Sequence, residues 1–124
     1  MKIISLQKHS DVRGDLIVLE KKLPFEIKRV FFIKKLDPST SRGFHRHRST
    51  RMLIMAVQGS FIMDCYFKDP KLNRSILLNK DDEAFLIEPD NYHIMKSFSH
   101  DCVIMVLAST EYDLKDYIYE NYEY

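Results

Sequence analysis

Leu53-Ile54-Met55-Ala56-Val57-Gln58-Gly59-Ser60-Phe61-Ile62-Met63-Asp64-Cys65-Tyr66-Phe67 sets the fold class of this chain. Residues 53–57 and 60–67 are apolar, β-rich runs, and Gln58-Gly59 between them is a turn signal. So short a link joins antiparallel neighbours, because a parallel pair needs a crossover of about a dozen residues or more. The pattern repeats outward from this pair. Upstream, Ile3 to Leu6, Leu16 to Leu19, Ile27 to Ile33 and Gly43 to His47 read as strands, with turn signals at 11–15 and 37–41. Downstream, a hairpin connection at 69–73 leads to strands at Ile76 to Leu78, Ala84 to Ile87, Tyr92 to Met95 and Cys102 to Ala108. About nine or ten short strands with no room for crossover helices predict one all-β domain over residues 1–124, an antiparallel β-sandwich or barrel. Asp113 to Tyr122 reads as a short C-terminal helix or an arm, and its spacing fits both.

Composition narrows the function classes. Apolar residues make up 45% of the chain and charged residues 30%, the balance of a folded globular protein. Lysine plus arginine number 19 against 18 acids, so net charge points to no nucleic-acid partner. The charges are unevenly placed, with Lys21, Lys22, Lys28, Arg29, Lys34 and Lys35 in one stretch and Arg42, Arg46, Arg48 and Arg51 in another. A basic centre suits an anionic ligand such as a phosphate ester; solvated strand faces are the plainer reading. Cys65 and Cys102 sit inside apolar runs, which predicts buried free thiols and a reducing compartment. No stretch reaches membrane-spanning length and the N-terminal MKIISLQKHSD lacks a long apolar segment, so a cytoplasmic protein without a membrane partner is expected. The tail is rich in tyrosine (Tyr112, Tyr117, Tyr119, Tyr122, Tyr124), which suits packing against a second subunit or against its own domain.

The chemistry concentrates in Arg42-Gly43-Phe44-His45-Arg46-His47. Residues i and i+2 of a strand share a face, so His45 and His47 project together and Arg46 faces away. His93, in Pro89-Asp90-Asn91-Tyr92-His93, begins another strand and can complete a three-imidazole cluster. Such a cluster can hold a metal or move protons. Metal-binding cupins place a glutamate four residues after the His-x-His pair. Here that position is Arg51, a cation expected to disfavour a divalent ion, with Glu83 and Glu88 left as alternative ligands. Proton transfer is therefore the favoured reading, without metal or cofactor. Two histidines on one wall can serve adjacent atoms of a small substrate, which is what moving a carbonyl by one carbon through an enediol requires. Arg42, at the mouth of the same strand, can clamp a phosphate or carboxylate, and Arg29 is a weaker candidate for that work.

These residues, with Asp11-Val12-Arg13-Gly14, Ile27-Lys28-Arg29-Val30-Phe31-Phe32-Ile33, Gln58-Gly59, the run from Asp101 to Ser109, Tyr112 and Asp116-Tyr117-Ile118, resemble the nucleotide-sugar 3,4-ketoisomerases of the cupin superfamily. The resemblance covers nearly the whole chain. It implies a metal-free jelly roll acting on dTDP-4-keto-6-deoxyglucose and forming a 3-keto sugar that is then aminated for surface glycans such as O-antigen or for antibiotics. It also implies a homodimer that exchanges N-terminal strands. Carried over, His47 moves the carbon-bound proton, His45 serves the oxygens, His93 contacts the sugar, and Arg42 and Arg29 contact the substrate or its diphosphate. Arg51-Met52 departs from the glutamate and glutamine usual there, so Arg51 is expected near the pocket mouth and Met52 against the sugar. A related nucleotide-sugar epimerase and a non-catalytic sugar-nucleotide-binding cupin are the rival readings.

Overall fold

The computed structural model describes residues 2–21 and 23–124; Lys22, one of the basic cluster, lies outside them. Its strands are β1 (Lys2–Ser5), β2 (Gln7–Asp11), β3 (Gly14–Val18), β4 (Arg29–Ile33), β5 (Arg42–His47) and β6 (Met52–Gln58). They continue as β7 (Phe61–Tyr66), β8 (Arg74–Leu78), β9 (Glu83–Ile87), β10 (Tyr92–Lys96), β11 (Val103–Ala108) and β12 (Tyr117–Ile118). Two five-stranded antiparallel sheets, ordered β1-β9-β6-β11-β4 and β12-β5-β10-β7-β8, face one another, and β2 and β3 form a separate hairpin. The architecture is the all-β sandwich expected from the sequence.

The space between the sheets is filled by alternate residues of each strand. Ile54, Phe85, Ile104 and Val106 from the first sheet meet Phe61, Met63, Cys65, Leu78 and Met95 from the second. β6 is buried on its outer face as well, where Leu53 and Met55 join Ala84, Leu86 and Leu107. Ile4, Leu6, Leu19, Leu23, Phe25 and Ile27 of the N-terminal region cover that face. This double burial explains the continuous apolar run in β6: a strand with no solvent face has no reason to alternate.

Two details differ from the sequence reading. β2 is a strand although Gln7–Asp11 is polar and exposed throughout, because its ladder partner β3 supplies the backbone hydrogen bonds. The C-terminal segment is neither a regular helix nor a free arm. One 3₁₀ turn, Leu114–Asp116, leads directly into β12, which extends the second sheet beside β5. Beyond it, Tyr122 donates to the Asp90 carbonyl at 2.8 Å and Tyr124 to the Phe67 carbonyl at 2.6 Å, so the tyrosine-rich end packs on its own domain. Cys65 and Cys102 are buried free thiols as expected, and burial pushes the Cys65 pKa up to about 12.

Candidate active site

β5 builds one wall of the site. Gly43 precedes the first histidine with φ of +98°, and a Cβ there would stand 2.7 Å from the His93 carbonyl oxygen, so glycine is required by both conformation and space. Phe44 adopts φ of +59° and is skipped in the pairing of β5 with β10, which matches His93 to His45 and Ile94 to Gly43. This bulge bends the strand at the rim of the pocket. His45 and His47 project together into the interior. Their ring centroids are 4.9 Å apart, and His45 lies 4.7 Å from His93. The Pro89-Asp90-Asn91 turn holds the far end of β5, with the Asp90 N–H donating to the His47 carbonyl at 2.8 Å.

Each imidazole has its Nδ1 engaged. That of His45 lies 2.9 Å from the Gly43 carbonyl, and that of His93 lies 3.2 Å from the Asn91 carbonyl. The His47 Nδ1 is 2.8 Å from Asp116 Oδ2. Carbonyls and carboxylates only accept, so Nδ1 carries the proton in all three rings and Nε2 of the neutral ring holds a lone pair. The His47 Nε2 is buried and has no hydrogen-bond partner among the described residues. Asp116, 8% exposed, also accepts from the Ser49 N–H at 2.8 Å, the Ser49 hydroxyl at 2.9 Å and the Thr50 hydroxyl.

Burial lowers the His45 pKa from its ordinary 6.5, with the Gly43 carbonyl and the Asp116 charge opposing. It lowers that of His47 too; the hydrogen bond to Asp116 opposes, while His45 and Arg29 push the same way. His93 is enclosed, and burial, followed by the neighbouring His45, pushes it down to about 3. Burial alone would raise the Asp116 carboxyl. The hydrogen bonds from Thr50, Ser49 and His47 outweigh it and hold the group well below the usual carboxylate range. At neutral pH the site is therefore a set of neutral bases backed by one fixed carboxylate.

A cavity of about 230 Å³ opens beside these rings, bordered by Arg42, Gly43, His45, His47, Met52 and Tyr117 among others. The Tyr117 ring stands 4.8 Å from that of His45 and 4.7 Å from that of His47. Arg42 and Met52 thus border the cavity as the sequence suggested, and His93 lies behind it. Arg29 stands outside its lining, with the guanidinium 5.4 Å from the Phe31 ring and 5.9 Å from that of Tyr112. Arg46 faces away from the histidines as expected, over the Tyr122 ring at 4.2 Å.

Arg51 is not at the pocket mouth. Its guanidinium holds both Glu88 oxygens at 2.8 Å and the Pro24 carbonyl at 2.6 Å, pinning the N-terminal connection to the sandwich. Met52, the next residue, takes the inward place by strand alternation. Arg51 therefore does not stand beside the imidazoles and cannot repel a metal there. Glu88 is committed to Arg51, and Glu83 is ion-paired to Lys80 at 3.4 Å. Ligand atoms of His45, His47 and His93 lie within 4.8 Å of one another, the one group among the described residues that could hold an ion. No carboxylate joins them there, and ligands at about 2.0–2.1 Å from an ion would need the nitrogens drawn closer than that outer span. The sequence reading missed Asp116 as a site residue. It lies 69 positions from His47, and no local pattern pairs them.

Over residues 1–124 the chain matches the family described as FdtA: WxcM-like, C-terminal. It is 38% identical over 128 residues to a TDP-4-oxo-6-deoxy-alpha-D-glucose-3,4-oxoisomerase from Aneurinibacillus thermoaerophilus, covering 98% of this chain and 89% of that protein. The WlaRB TDP-quinovose 3,4-ketoisomerase of Campylobacter jejuni superposes with a TM-score of 0.90 at 36% identity, covering 96% of this chain and 92% of that one. The QdtA 3,4-ketoisomerase of Thermoanaerobacterium thermosaccharolyticum, in complex with TDP, gives a TM-score of 0.91 at 33% identity over 96% of this chain and 87% of that one. A histidine-to-asparagine mutant of QdtA is known in complex with TDP-4-keto-6-deoxyglucose. A dTDP-4-dehydrorhamnose 3,5-epimerase from Bacillus anthracis, 16% identical with a TM-score of 0.79, shares the fold.

Proposed function

The chain belongs to the FdtA, WxcM-like family, and we propose that His45 and His47 carry out its reaction, the 3,4-isomerisation of a TDP-linked 4-keto-6-deoxy sugar. The enzyme is a sugar 3,4-ketoisomerase. The observation that carries the catalytic reading is the pair of adjacent imidazoles on one wall of the cavity, each with Nδ1 occupied and Nε2 left as the basic atom.

The carbonyl moves from C4 to C3 in balanced proton steps. One imidazole takes the C3 hydrogen as a proton, and the electron pair of that bond forms the C3–C4 double bond while O4 gains a proton. The resulting enediol gives up the O3 proton, C4 is protonated, and the C3 carbonyl forms. His47 is assigned the carbon-bound protons, because its imidazolium would face a buried carboxylate. His45 relays between the oxygens. Proton transfer of this kind contributes about 10²–10⁴ in rate. The scheme uses no metal, and the depressed pKa values keep both rings in their basic form at neutral pH.

A cavity of about 230 Å³ is smaller than the roughly 300–1,000 Å³ that encloses a whole drug-sized ligand. It has room for the sugar, which leaves the nucleotide and diphosphate at the mouth, near Arg42 and Arg29. The working unit is a homodimer with exchanged N-terminal strands. Two features support this: the β2–β3 hairpin joins neither sheet of its own chain, and β4 is a sheet edge with Val30 and Phe32 exposed. The setting is cytoplasmic, supplying a 3-keto sugar to an aminating enzyme. Among the described residues no helix is long and apolar enough to cross a membrane.

Incubation with TDP-4-keto-6-deoxyglucose, followed by NMR, tests this function. A 3-keto product at a rate unchanged by prior chelator treatment is expected. An epimerised 4-keto product would establish the epimerase reading, and binding without conversion would establish the binding module.

A further inference from the structure

The carboxylate of Asp116 stands behind His47, on the C-terminal turn that leads into β12. We infer that Asp116 is a positioning residue for the isomerisation: it fixes the tautomer of His47 so that Nε2 reaches the substrate as a base. This deepens the function proposed above and rests on it.

The arrangement leaves Asp116 little freedom. Oδ1 receives the Ser49 N–H and hydroxyl, and Oδ2 receives the Thr50 hydroxyl and the His47 Nδ1–H. Its backbone carbonyl accepts the Arg48 N–H at 2.8 Å, and its own N–H donates to the Asp113 carbonyl at 3.0 Å. The side chain is thus clamped to the loop that follows β5, and His47 is clamped to the side chain. His47 is 1% exposed, so no water competes for Nδ1. A buried imidazole with one nitrogen given to a carboxylate and the other unpartnered has a defined basic end. When Nε2 takes a proton, the imidazolium lies against a negative charge already in place. His45 has only a neutral carbonyl on its Nδ1, so the two histidines are not equivalent. The other charged or titratable groups near His47 are His45 on β5, Arg29 on β4, His93 on β10 and Tyr117 on β12, and none of them supplies a second carboxylate.

Asp116→Asn tests the assignment because the geometry dictates which way the amide turns. The Ser49 N–H is a fixed donor and demands the amide oxygen at the Oδ1 position. The NH₂ must then face His47 Nδ1, which can accept only by moving its proton to Nε2. The basic atom is lost while size is kept. Expected are a fall in kcat of about 10²–10⁴, a KM for the TDP-sugar within a few-fold of wild type, and ¹⁵N shifts showing His47 changed from the Nδ1–H to the Nε2–H tautomer. Turnover at the wild-type rate in Asp116→Asn overturns the inference. So does an Nε2–H tautomer of His47 in the wild-type protein, which needs no variant and stands even if Asp116→Asn does not fold. A wild-type protein that shows the Nδ1–H tautomer but converts no TDP-4-keto-6-deoxyglucose defeats the function proposed above instead.

Discussion

β5 and β7 lie on either side of β10 in the same sheet, and both point alternate residues into the sandwich. β7 inserts Phe61, Met63 and Cys65, all buried and all part of the core. β5 inserts Gly43, His45 and His47, which border a cavity. The backbone rule is the same in both. What differs is that one strand fills the space with apolar atoms and the other leaves it open beside polar rings. Burial stabilises the fold at β7, whereas at β5 it disfavours the charged form of the imidazoles and keeps them neutral. The contrast shows one sheet divided between a strand that packs the core and a strand that presents its imidazoles to a cavity.

The sharpest way to break this division is to truncate one residue on each strand. His47→Ala should lower turnover by about 10²–10⁴ while the fold persists, checked by steady-state rates beside circular dichroism. Met63→Ala, on β7, should cost about 2–5 kcal/mol of stability and leave the rate of the remaining folded enzyme near wild type. Urea unfolding together with rates measured well below the transition separates the two effects. Equal loss of activity per folded molecule in both variants would remove the distinction between the strands.

Acid sharpens the comparison next. His93 is held at about 3 in the folded protein, against an ordinary 6.5 for an unfolded chain. Below 6.5 the unfolded chain therefore binds protons that the folded one refuses, and stability must fall as pH falls. The slope contributed by this group is about 1.4 kcal/mol per pH unit between 6.5 and 3. His45 and His47, also lowered, act in the same direction. Denaturant unfolding at pH 7 and pH 5 reads this out, and equal stability at the two values would mean that the imidazoles are not kept neutral. The smallest effect is expected at Arg51. Arg51→Ala removes a partly exposed ion pair with Glu88 and should cost about 1 kcal/mol or less, with kcat and KM unaltered, because the side chain lies away from the cavity.

Much of this arrangement is written locally. The two-residue periodicity of a strand is enough to put His45 and His47 on one face and Arg46 on the other, and the Gln58-Gly59 turn suffices for an antiparallel pair. Arg51 shows where counting along the chain fails. Its place in a metal-ligand spacing put it in the pocket, but the alternation that brings Met52 inward sends Arg51 toward Glu88 and Pro24. β2 was hidden because an exposed hairpin carries no apolar alternation for a sequence to display. Asp116 was illegible for a different reason. Its contact with His47 is made by a chain reversal 69 residues later, and the short turn that carries it has neither the length nor the periodicity of a regular helix.

Solvent-hydrogen exchange tests most directly whether the imidazoles of β5 move protons at carbon. The wild-type enzyme, turning over TDP-4-keto-6-deoxyglucose in D₂O, should place deuterium on the sugar carbon that loses its carbonyl, and His47→Ala should lose exchange and isomerisation together. Isomerisation by the wild type with no deuterium reaching carbon, or undiminished exchange in His47→Ala, would contradict the account.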